Sequence, residues 1–530
     1  MGKRILWPTA KLLALAVMQA IGVAHHSGAQ GTGDGDVMHV AIVGAGITGA
    51  ATAFHLHNLS LSSPGRPLSV TIFESAPRAG GQVRTTSLPG SWEKLEVGAA
   101  HFYDDDWCLM DAARAVNLST RTTRGKGNAH VWDGESFARD RVCHASFFWD
   151  LDRWFDPRPL SRRRRREAWQ RRKEDLELEW RYRRSPDKFQ RLVARLMERW
   201  KMFGANATFD NVGREFSDVS LIDGLGASAR DFLRGMSVDE EYQERFIEPC
   251  LRDAYGSTLD ESSVLDAAMA AGALRSKAVS IVGGNALLVE DLIRRSGAEL
   301  HLGSSVTSVT PGVSHLYRLA VASQGSTSVK HGEFDAVFFT GSSQRGISSP
   351  WAGAHKPSPE IESHIAHYSI SSNQQSLEPS GGPVPLAPLS FLTGQDSKYL
   401  GERDVRSLYT HTQFWIDRRG TDPDPECDQF DDVVSVHSKR ALSDNDLLRI
   451  VEHGSHDSAG VGWFSWIDKH SWVRQNRNWT EVGVNIEGSI EIRPGLYNLG
   501  HNALDTAEMG CRMGQNGARL LHEGLISPKQ

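Results

Sequence analysis

Three glycines near the start of the chain have the spacing of a phosphate-binding loop. Gly44, Gly46 and Gly49 form a G-x-G-x-x-G pattern directly after the apolar run 40–43. The first glycine permits a tight turn, the second lets the backbone approach a pyrophosphate, and the third lets a helix pack closely on a strand. Because the preceding strand supplies the expected context, the pattern predicts a dinucleotide site at a helix N-terminus. A near-match at 224–229 follows a mixed stretch and predicts a loop or helix cap.

An acidic residue ends the next predicted strand. Residues 68–73 alternate in apolar character, and Glu74 follows where the second strand of a mononucleotide-binding unit should end. A carboxylate at this place accepts hydrogen bonds from an adenosine ribose and repels a 2′-phosphate. Glu74 is therefore predicted to bind the cofactor, and NADP is disfavoured.

A second glycine pair follows, with arginines on either side. Gly80 and Gly81 lie between Arg78 and Arg84. A nicotinamide dehydrogenase has no need of this loop, whereas an extended FAD needs further backbone N–H groups and a cation along its diphosphate and ribityl chain. The pattern favours FAD as the cofactor, with Gly80, Gly81 and Arg84 as binding residues.

Composition and cysteine spacing indicate neither a nucleic-acid-binding protein nor a cysteine-ligated metal site. The chain has 530 residues, of which 39% are hydrophobic, a net charge of −6 and a mean hydropathy of −0.38. These values indicate a soluble globular chain of two or more domains, with no overall attraction to nucleic acid. The five cysteines are widely spaced and odd in number, so they predict no metal site and leave at least one thiol unpaired within the chain. The oligomeric state stays open.

The N-terminal 29 residues have the pattern of a secretory signal peptide. Lys3 and Arg4 precede the apolar stretch 12–24, and small residues continue to Ala29. The alternative is a signal anchor. Four glycosylation sequons agree with a secretory route and predict a lysosomal, vacuolar or extracellular glycoprotein. They begin at Asn58, Asn117, Asn206 and Asn478.

The order of elements predicts an α/β fold with a discontinuous Rossmann-like FAD-binding domain. A mixed α+β substrate domain, which contains a charged helical insertion, interrupts it. In that insertion, Arg162 to Arg166 are consecutive arginines followed by mixed charges. They indicate a solvated helix, and the alternatives are a peripheral membrane-surface contact or a processing site. The predicted FAD-binding segments are 37–110, 275–345 and 486–530, and the substrate-domain segments are 111–274 and 346–485.

The Glu74 and Gly80-Gly81 pattern resembles the FAD-dependent amine-oxidase-like flavoproteins. That family usually has Arg directly after the glycine pair, where this chain has Gln82. The order of motifs along the mature chain resembles, more narrowly, the prenylcysteine oxidases, also called prenylcysteine lyases. The segments that carry this resemblance are the Gly44 motif, Gly80-Gly81, 95–100, 246–256, 282–285 and 507–509.

The resemblance implies further cofactor-binding residues. In flavin oxidases of this type, a strand such as 305–309 places a backbone amide and carbonyl near the adenine, which implies a role for Val306. The C-terminal segment predicts a strand, a loop and a helix rich in small residues, beginning near Glu508. The N-terminus of that helix would direct its dipole at the flavin pyrimidine. Glu508 is therefore also a candidate cofactor-binding residue.

The implied activity is oxidative cleavage of farnesyl- or geranylgeranyl-cysteine. The products are free cysteine, a prenyl aldehyde and hydrogen peroxide, so the small-molecule partners are a lipophilic substrate and dioxygen. Because the cofactor carries the chemistry, the candidate catalytic residues are limited to His101 and His501, which could steer water or a substrate charge. The aromatic segment 463–467 with Trp472 is a candidate wall for the prenyl tail, and core packing explains the same pattern.

Two other functions remain compatible with these motifs. One is a different FAD-dependent oxidase or dehydrogenase that acts on another lipophilic small molecule, for example in secondary metabolism. The other is a secreted binding protein that keeps the flavoprotein fold without catalysis.

Overall fold

The structure is a computed structural model, in which strands and helices are numbered in chain order. The strands are β1 (Met38–Val43), β2 (Leu68–Phe73), β3 (Val83–Ser87), β4 (Lys94–Gly98), β5 (Phe102–Tyr103), β6 (Thr120–Thr122), β7 (His130–Trp132), β8 (Phe137–Arg141), β9 (Ala278–Ile281), β10 (Glu299–His301), β11 (Ser304–Pro311), β12 (Tyr317–Ser323), β13 (Val329–Phe334), β14 (Ala336–Phe339), β15 (Glu360–Ile370), β16 (Phe391–Thr393), β17 (Val405–Ile416), β18 (Gln429–Ser438), β19 (Phe464–Gln475), β20 (Glu491–Arg493) and β21 (Leu496–Asn498). The helices are α1 (Ile47–Ser62), α2 (Trp107–Ala115), α3 (Ser185–Met202), α4 (Val212–Asp218), α5 (Ala229–Gly235), α6 (Glu240–Tyr242), α7 (Glu248–Tyr255), α8 (Val264–Gly272), α9 (Ala286–Ser296) and α10 (Ala507–Ile526), and a π-helical turn (Gln243–Ile247) joins α6 to α7.

The described residues are 37–62, 66–87, 94–99, 102–122, 130–132, 137–141, 173, 180–205, 207–221, 225–272, 278–313, 315–325, 329–341, 347–348, 360–370, 391–393, 405–416, 429–438, 440–447, 464–475, 489–500, 504 and 506–526. All of them except Val37 belong to the unit Met38–Gln530.

A six-stranded sheet in the order β10-β2-β1-β14-β21-β20 carries the glycine motif. The pairs from β10 to β21 are parallel, and β20 joins the edge antiparallel. Residues 40–42 of β1 and all of β14 are buried, because helices and other strands cover both faces of a parallel sheet. The strands come from three distant segments of the chain, as a discontinuous FAD-binding domain requires. The exact domain boundaries stay a prediction.

A seven-stranded sheet lies outside this nucleotide-binding unit. Its order is β19-β15-β18-β17-β16-β7-β8, and neighbouring strands are antiparallel except for β16 and β7. Its strands come from both segments predicted for the substrate domain. The aromatic segment noted in the sequence lies partly in β19, as a strand at one edge of this sheet.

Helices fill most of the described part of the predicted insertion. On α3, Phe189, Leu192 and Leu196 are buried, while Arg191 and Arg195 are exposed. At 224–229, Ser228 caps α5, since its side chain accepts a hydrogen bond from the N–H of Asp231, and the near-match is indeed a helix cap. Arg162 to Arg166 lie outside the described residues. None of the helices in the described part combines the length and apolarity that crossing a membrane requires.

The C-terminal helix α10 packs on α1 through glycines. A methyl group at Gly510 would lie 2.7 Å from Oγ1 of Thr48, and one at Gly514 would lie 2.5 Å from the Thr48 carbonyl oxygen and 2.9 Å from the Thr52 nitrogen. These two glycines, four residues apart, form one face of α10. The predicted small-residue helix therefore uses its small residues to approach α1.

A disulfide between Cys108 and Cys511 joins α2 to α10 across 403 residues of sequence, and both cysteines are buried. Cys250 is also disulfide-bonded, to a partner outside the described residues. Closing so long a loop restricts the unfolded chain, which stabilises the folded state by a few kcal/mol, about 2 to 5.

We expect Gly514→Ala to lower the free energy of unfolding by about 1 to 3 kcal/mol, because the added methyl group meets backbone atoms of α1 that cannot move aside. Gly524→Ala, on the same helix, meets nothing within 4 Å. That control variant should unfold at or above the wild-type denaturant concentration, since Ala favours helix more than Gly does. Equal loss of stability in both variants, measured by urea unfolding, would contradict the packing described.

Candidate cofactor and active site

The first glycine loop is held by the ends of β1 and β2. The Gly44 N–H donates to the carbonyl of Phe73 at 2.8 Å, and Gly44 has a positive φ of 111°. A Cβ on Gly49 would collide with the carbonyl oxygen of Gly44, so only glycine lets α1 begin this close to the strand. At Gly46, in contrast, a Cβ would meet nothing within 4 Å. Gly46 therefore borders open space, which is where a pyrophosphate approaches the loop.

The second glycine loop lies directly against the first. The Gly80 N–H donates to the carbonyl of Ala45 at 2.9 Å, and Gly46 and Gly80 form a parallel β-bridge. A Cβ on Gly81 would lie 3.3 Å from the Cα of Gly46. The two predicted loops are therefore brought together as one backbone surface with little side-chain cover.

Glu74 connects this surface to the strand predicted to lie near the adenine. Its carboxylate accepts hydrogen bonds from the N–H groups of Ala45 and Ala76, each at 2.8 Å. Oε1 also accepts from the Ser75 hydroxyl at 3.4 Å, whereas Oε2 has a second acceptor position, so the half-buried group can still bind a ribose hydroxyl. The Glu74 carbonyl accepts from the N–H of Ser304 at 2.7 Å, at the start of β11. Val306 follows two residues later and is buried.

Two cations lie beside the second glycine loop. Arg78 donates to the carbonyls of Ala79 and Gly81 at 3.1 and 3.0 Å. Partial burial and then the charge of Arg84 lower the pKa of Arg78, while Glu74 acts in the opposite direction. Arg84 is therefore close enough to act on the charge of Arg78, and two neighbouring cations favour the binding of an anion between or beside them. Together with the open space at Gly46, they fit the diphosphate of FAD. Gln82, at the place of the family's usual Arg, is exposed.

The hairpin of β3 and β4 binds a distant turn. The carboxylate of Glu96 accepts from the N–H of Asn285 at 2.9 Å and from the hydroxyl of Thr85 at 2.8 Å. Thr85 in turn accepts from the N–H of Ala286 at 3.2 Å, at the start of α9. Burial raises the pKa of Glu96 to about 7, although the hydrogen bonds from Asn285 and Thr85 act to lower it.

The carboxylate of Glu508 is bound to other parts of the protein. It accepts from the N–H groups of Cys108 and Leu109 at 3.0 Å, at the N-terminus of α2, and from the guanidinium of Arg512 at 2.6 Å. Arg512 is fully buried between the rings of Trp107 and Trp200. This structural role was not predicted from the sequence. A cofactor contact by Glu508 stays a prediction, and these contacts leave its carboxylate little capacity for one.

Sequence reasoning missed a buried histidine pair. His101 and His501, the predicted catalytic candidates, lie outside the described residues. The seven-stranded sheet instead carries His367 and His470, which are 1% and 6% exposed. The spacing of Asp468 and His470 in a strand-like segment was an available signal, because residues two apart in a strand share a face.

The fold and the site define an α/β dinucleotide-binding flavoprotein. Residues 47–346 match the family model described as flavin containing amine oxidoreductase. The match covers more than half of the chain, so the chain belongs to this family. Its cofactor is FAD, and the protein is a flavin-dependent oxidoreductase.

Within the family, the chain is similar over about half of its length to a protein of the prenylcysteine oxidase type. It is 25% identical over 292 residues to a bovine protein named prenylcysteine oxidase 1-like, an alignment that covers 53% of this chain and 51% of that protein. A 52-residue match to coproporphyrinogen III oxidase of Bacillus subtilis is 40% identical and covers 10% of this chain and 11% of that enzyme. The chain therefore spans about half the length, or less, of these curated relatives.

Solved structures with the same fold include amine oxidases. A putrescine oxidase bound to putrescine aligns with a TM-score of 0.56 at 15% identity, covering 92% of this chain and 99% of the enzyme. Cyclohexylamine oxidase from Brevibacterium oxydans aligns with a TM-score of 0.56 at 14% identity, covering 92% and 100%. At these identities the likeness shows the fold alone.

We expect Gly46→Val to bind FAD at least about tenfold more weakly while the protein stays folded. The added side chain meets no protein atom, but it occupies the space beside the loop where the pyrophosphate must approach. Gly226→Val is the matched control, because a Cβ there also meets nothing within 4 Å. Flavin absorbance per protein, with circular dichroism as the folding check, distinguishes the two variants. Normal flavin content in Gly46→Val would refute the assignment of the loop.

The raised pKa of Glu96 predicts a pH-dependent stability. A carboxyl whose pKa rises from 4.5 to about 7 on folding binds its proton more tightly in the folded state. The stabilisation that this raised pKa gives the folded state is fully present below about pH 4.5. It is lost as the pH rises through about 7, which lowers the free energy of unfolding by up to about 3 kcal/mol. Glu96→Gln has no proton to lose, so relative to wild type it should gain stability between pH 5 and pH 8. Urea unfolding at both pH values tests this, and a constant difference would contradict it.

Proposed function

We propose that this oxidoreductase cleaves the thioether of a prenylcysteine, giving free cysteine, a prenyl aldehyde and hydrogen peroxide. The prenyl group is farnesyl or geranylgeranyl. The proposal is narrower than the family and rests on the likeness to the bovine protein and on one feature of the site.

That feature is the contact between two of the segments that resemble prenylcysteine oxidases. Segment 95–100 includes Glu96, and segment 282–285 includes Asn285. These two residues are 189 positions apart in sequence but are in contact, because the N–H of Asn285 donates to the carboxylate of Glu96. The Asn285 side chain also donates to the carbonyl of Ala99 at 3.3 Å. Because strand β3 of the same hairpin carries Arg84, the contact between Glu96 and Asn285 lies near the cofactor loops.

When bound, FAD supplies the two-electron acceptor that takes a hydride from prenyl C1 and passes the electrons to dioxygen. The protein must hold C1 about 3 to 3.5 Å from the accepting atom. It must also keep an apolar space for the prenyl chain and admit one water molecule to C1. Trp466 is half-buried on β19 with its ring 6.5 Å from that of His367, and it supports an apolar wall for such a space on this face of the sheet.

We also propose that the protein enters the secretory pathway and resides in a lysosome or vacuole or outside the cell. The Cys108–Cys511 disulfide supports this location, because disulfides persist in oxidising compartments. Asn117 supports glycosylation, since it is exposed in the turn after α2. Asn58 is a poorer site, because it is half-buried within α1.

The purified protein is expected to carry FAD and to release peroxide with farnesylcysteine. The decisive measurement is anaerobic bleaching of the flavin absorbance by farnesylcysteine, geranylgeranylcysteine, farnesol and putrescine in parallel. Bleaching by the two thioethers, with equal amounts of cysteine and aldehyde formed, supports the proposal. Bleaching by an amine or an alcohol alone would assign the site to another lipophilic donor, and full flavin content without any bleaching would remove the proposed activity.

A further inference from the structure

One face of the seven-stranded sheet carries a row of polar groups. In the register of the sheet, His367 of β15 lies opposite Asp468 of β19 and opposite Ser435 of β18. Residues directly opposite in antiparallel strands share a face, and His470 shares it too because it follows Asp468 by two residues. The Nδ1 atom of His367 lies 2.6 Å from Oγ of Ser435, and the rings of His367 and His470 are 6.3 Å apart.

The row is attached to the cofactor-binding hairpin through one carboxylate oxygen. Oδ2 of Asp468 accepts from Nε2 of His470 at 2.8 Å and from the hydroxyl of Thr86 at 2.6 Å. Thr86 lies on β3, two residues after Arg84. The Asp468–His470 pair is therefore placed at the junction of the cofactor domain and the seven-stranded sheet.

The carboxylate determines which nitrogen of His470 is basic. A neutral imidazole that donates from Nε2 to Asp468 keeps its lone pair on Nδ1. For Nδ1, the structure shows no hydrogen bond to another described residue. His470 thus presents a proton-accepting atom whose direction is set by Asp468, which is the arrangement a general base requires.

The charged groups around His470 keep it neutral in the relevant pH range. Burial lowers the pKa of His470, Asp468 on the same strand raises it, and the charges of Arg84 on β3 and Arg78 on the second glycine loop lower it. Among the described residues, His367 of β15 also faces it. The net effect is a pKa below the ordinary histidine value, so the imidazole is mostly unprotonated near neutral pH.

We propose that His470 accepts the proton released when water adds to prenyl C1, and that Asp468 positions it. This inference rests on the proposed function. After C1 has lost its hydride, a bond forms between the water oxygen and C1, one O–H bond of the water breaks, and its proton passes to Nδ1. As the hemithioacetal collapses, the C–S bond breaks, the carbonyl forms, the hydroxyl proton leaves to solvent, and the imidazolium returns its proton to the cysteine sulfur.

The test compares His470→Gln with His364→Gln in the flavin-loaded protein. His364 is the control, because it also lies on this sheet with a ring nitrogen in a hydrogen bond, Nδ1 being 2.7 Å from Oγ of Ser471. Its position in the strand register places it on the opposite face. With farnesylcysteine in a single anaerobic turnover, His470→Gln should form cysteine and aldehyde about a hundredfold more slowly or worse. Its flavin reduction should slow far less, and free imidazole should partly restore product formation. His364→Gln should match wild type in both steps.

A second measurement does not depend on activity. The proton titration of His470, followed by NMR, should move to lower pH in Asp468→Asn, because the carboxylate that raises its pKa is gone. In the pH profile of the rate of product formation, the acidic limb should also move to lower pH in this variant. A purely structural role would not produce that shift. This variant also serves if His470→Gln fails to load flavin.

The possible failures are distinguishable. If farnesylcysteine does not reduce the wild-type flavin, the proposed function fails and the inference fails with it. If wild type turns over and His470→Gln forms cysteine at the wild-type rate, the inference alone is wrong. If both flavin reduction and product formation fall equally and imidazole restores neither, the role in proton transfer is overturned.

Discussion

Close contact between backbones at the start of α1 is the constraint on which the rest of the structure depends. Gly49 brings the helix onto the Gly44 carbonyl, and Gly514 brings α10 onto the Thr48 carbonyl on another side of α1. No side chain larger than hydrogen fits at either contact without moving backbone atoms. Because the helix is held on both sides, its N-terminus and the loop before it are fixed in position. A preorganised loop binds an anion without a further entropic cost of ordering.

The hairpin of β3 and β4 connects the cofactor loops to two other parts of the molecule through hydrogen bonds. On one side, Glu96 and Thr85 bind the turn that begins α9. On the other side, Thr86 binds Asp468 of the seven-stranded sheet. Consecutive residues of β3 point alternately to its two faces, so one short strand can contact both neighbours. Its position therefore couples the cofactor loops to the sheet that carries the histidine pair.

The predictable parts were those whose contacts are local in sequence. The glycine triplet, the strand before it and Glu74 form one βαβ unit, and their spacing alone indicated how they fold. The role of Glu508 could not be found in this way, because its partner Cys108 is 400 residues away. The contact of Thr86 with Asp468 spans 382 residues. In a buried network of charges, partners are set by tertiary packing, and a single sequence carries no record of which distant donor reaches which carboxylate.

A cofactor site made mostly of backbone places few demands on the sequence. The two glycine loops need small residues at a few positions and strands that align them, and the N–H groups that face the ligand are the same in every protein. This explains how chains that are only 14 to 15% identical share the fold over 92% of this chain. Differences in substrate must then arise from side chains elsewhere. In this molecule, we expect the seven-stranded sheet to supply such side chains, because Asp468 on its polar and aromatic face accepts a hydrogen bond from Thr86 of the β3–β4 hairpin. The chemistry that distinguishes this oxidoreductase from its relatives is therefore expected in β15 and β19 rather than in the glycine motif.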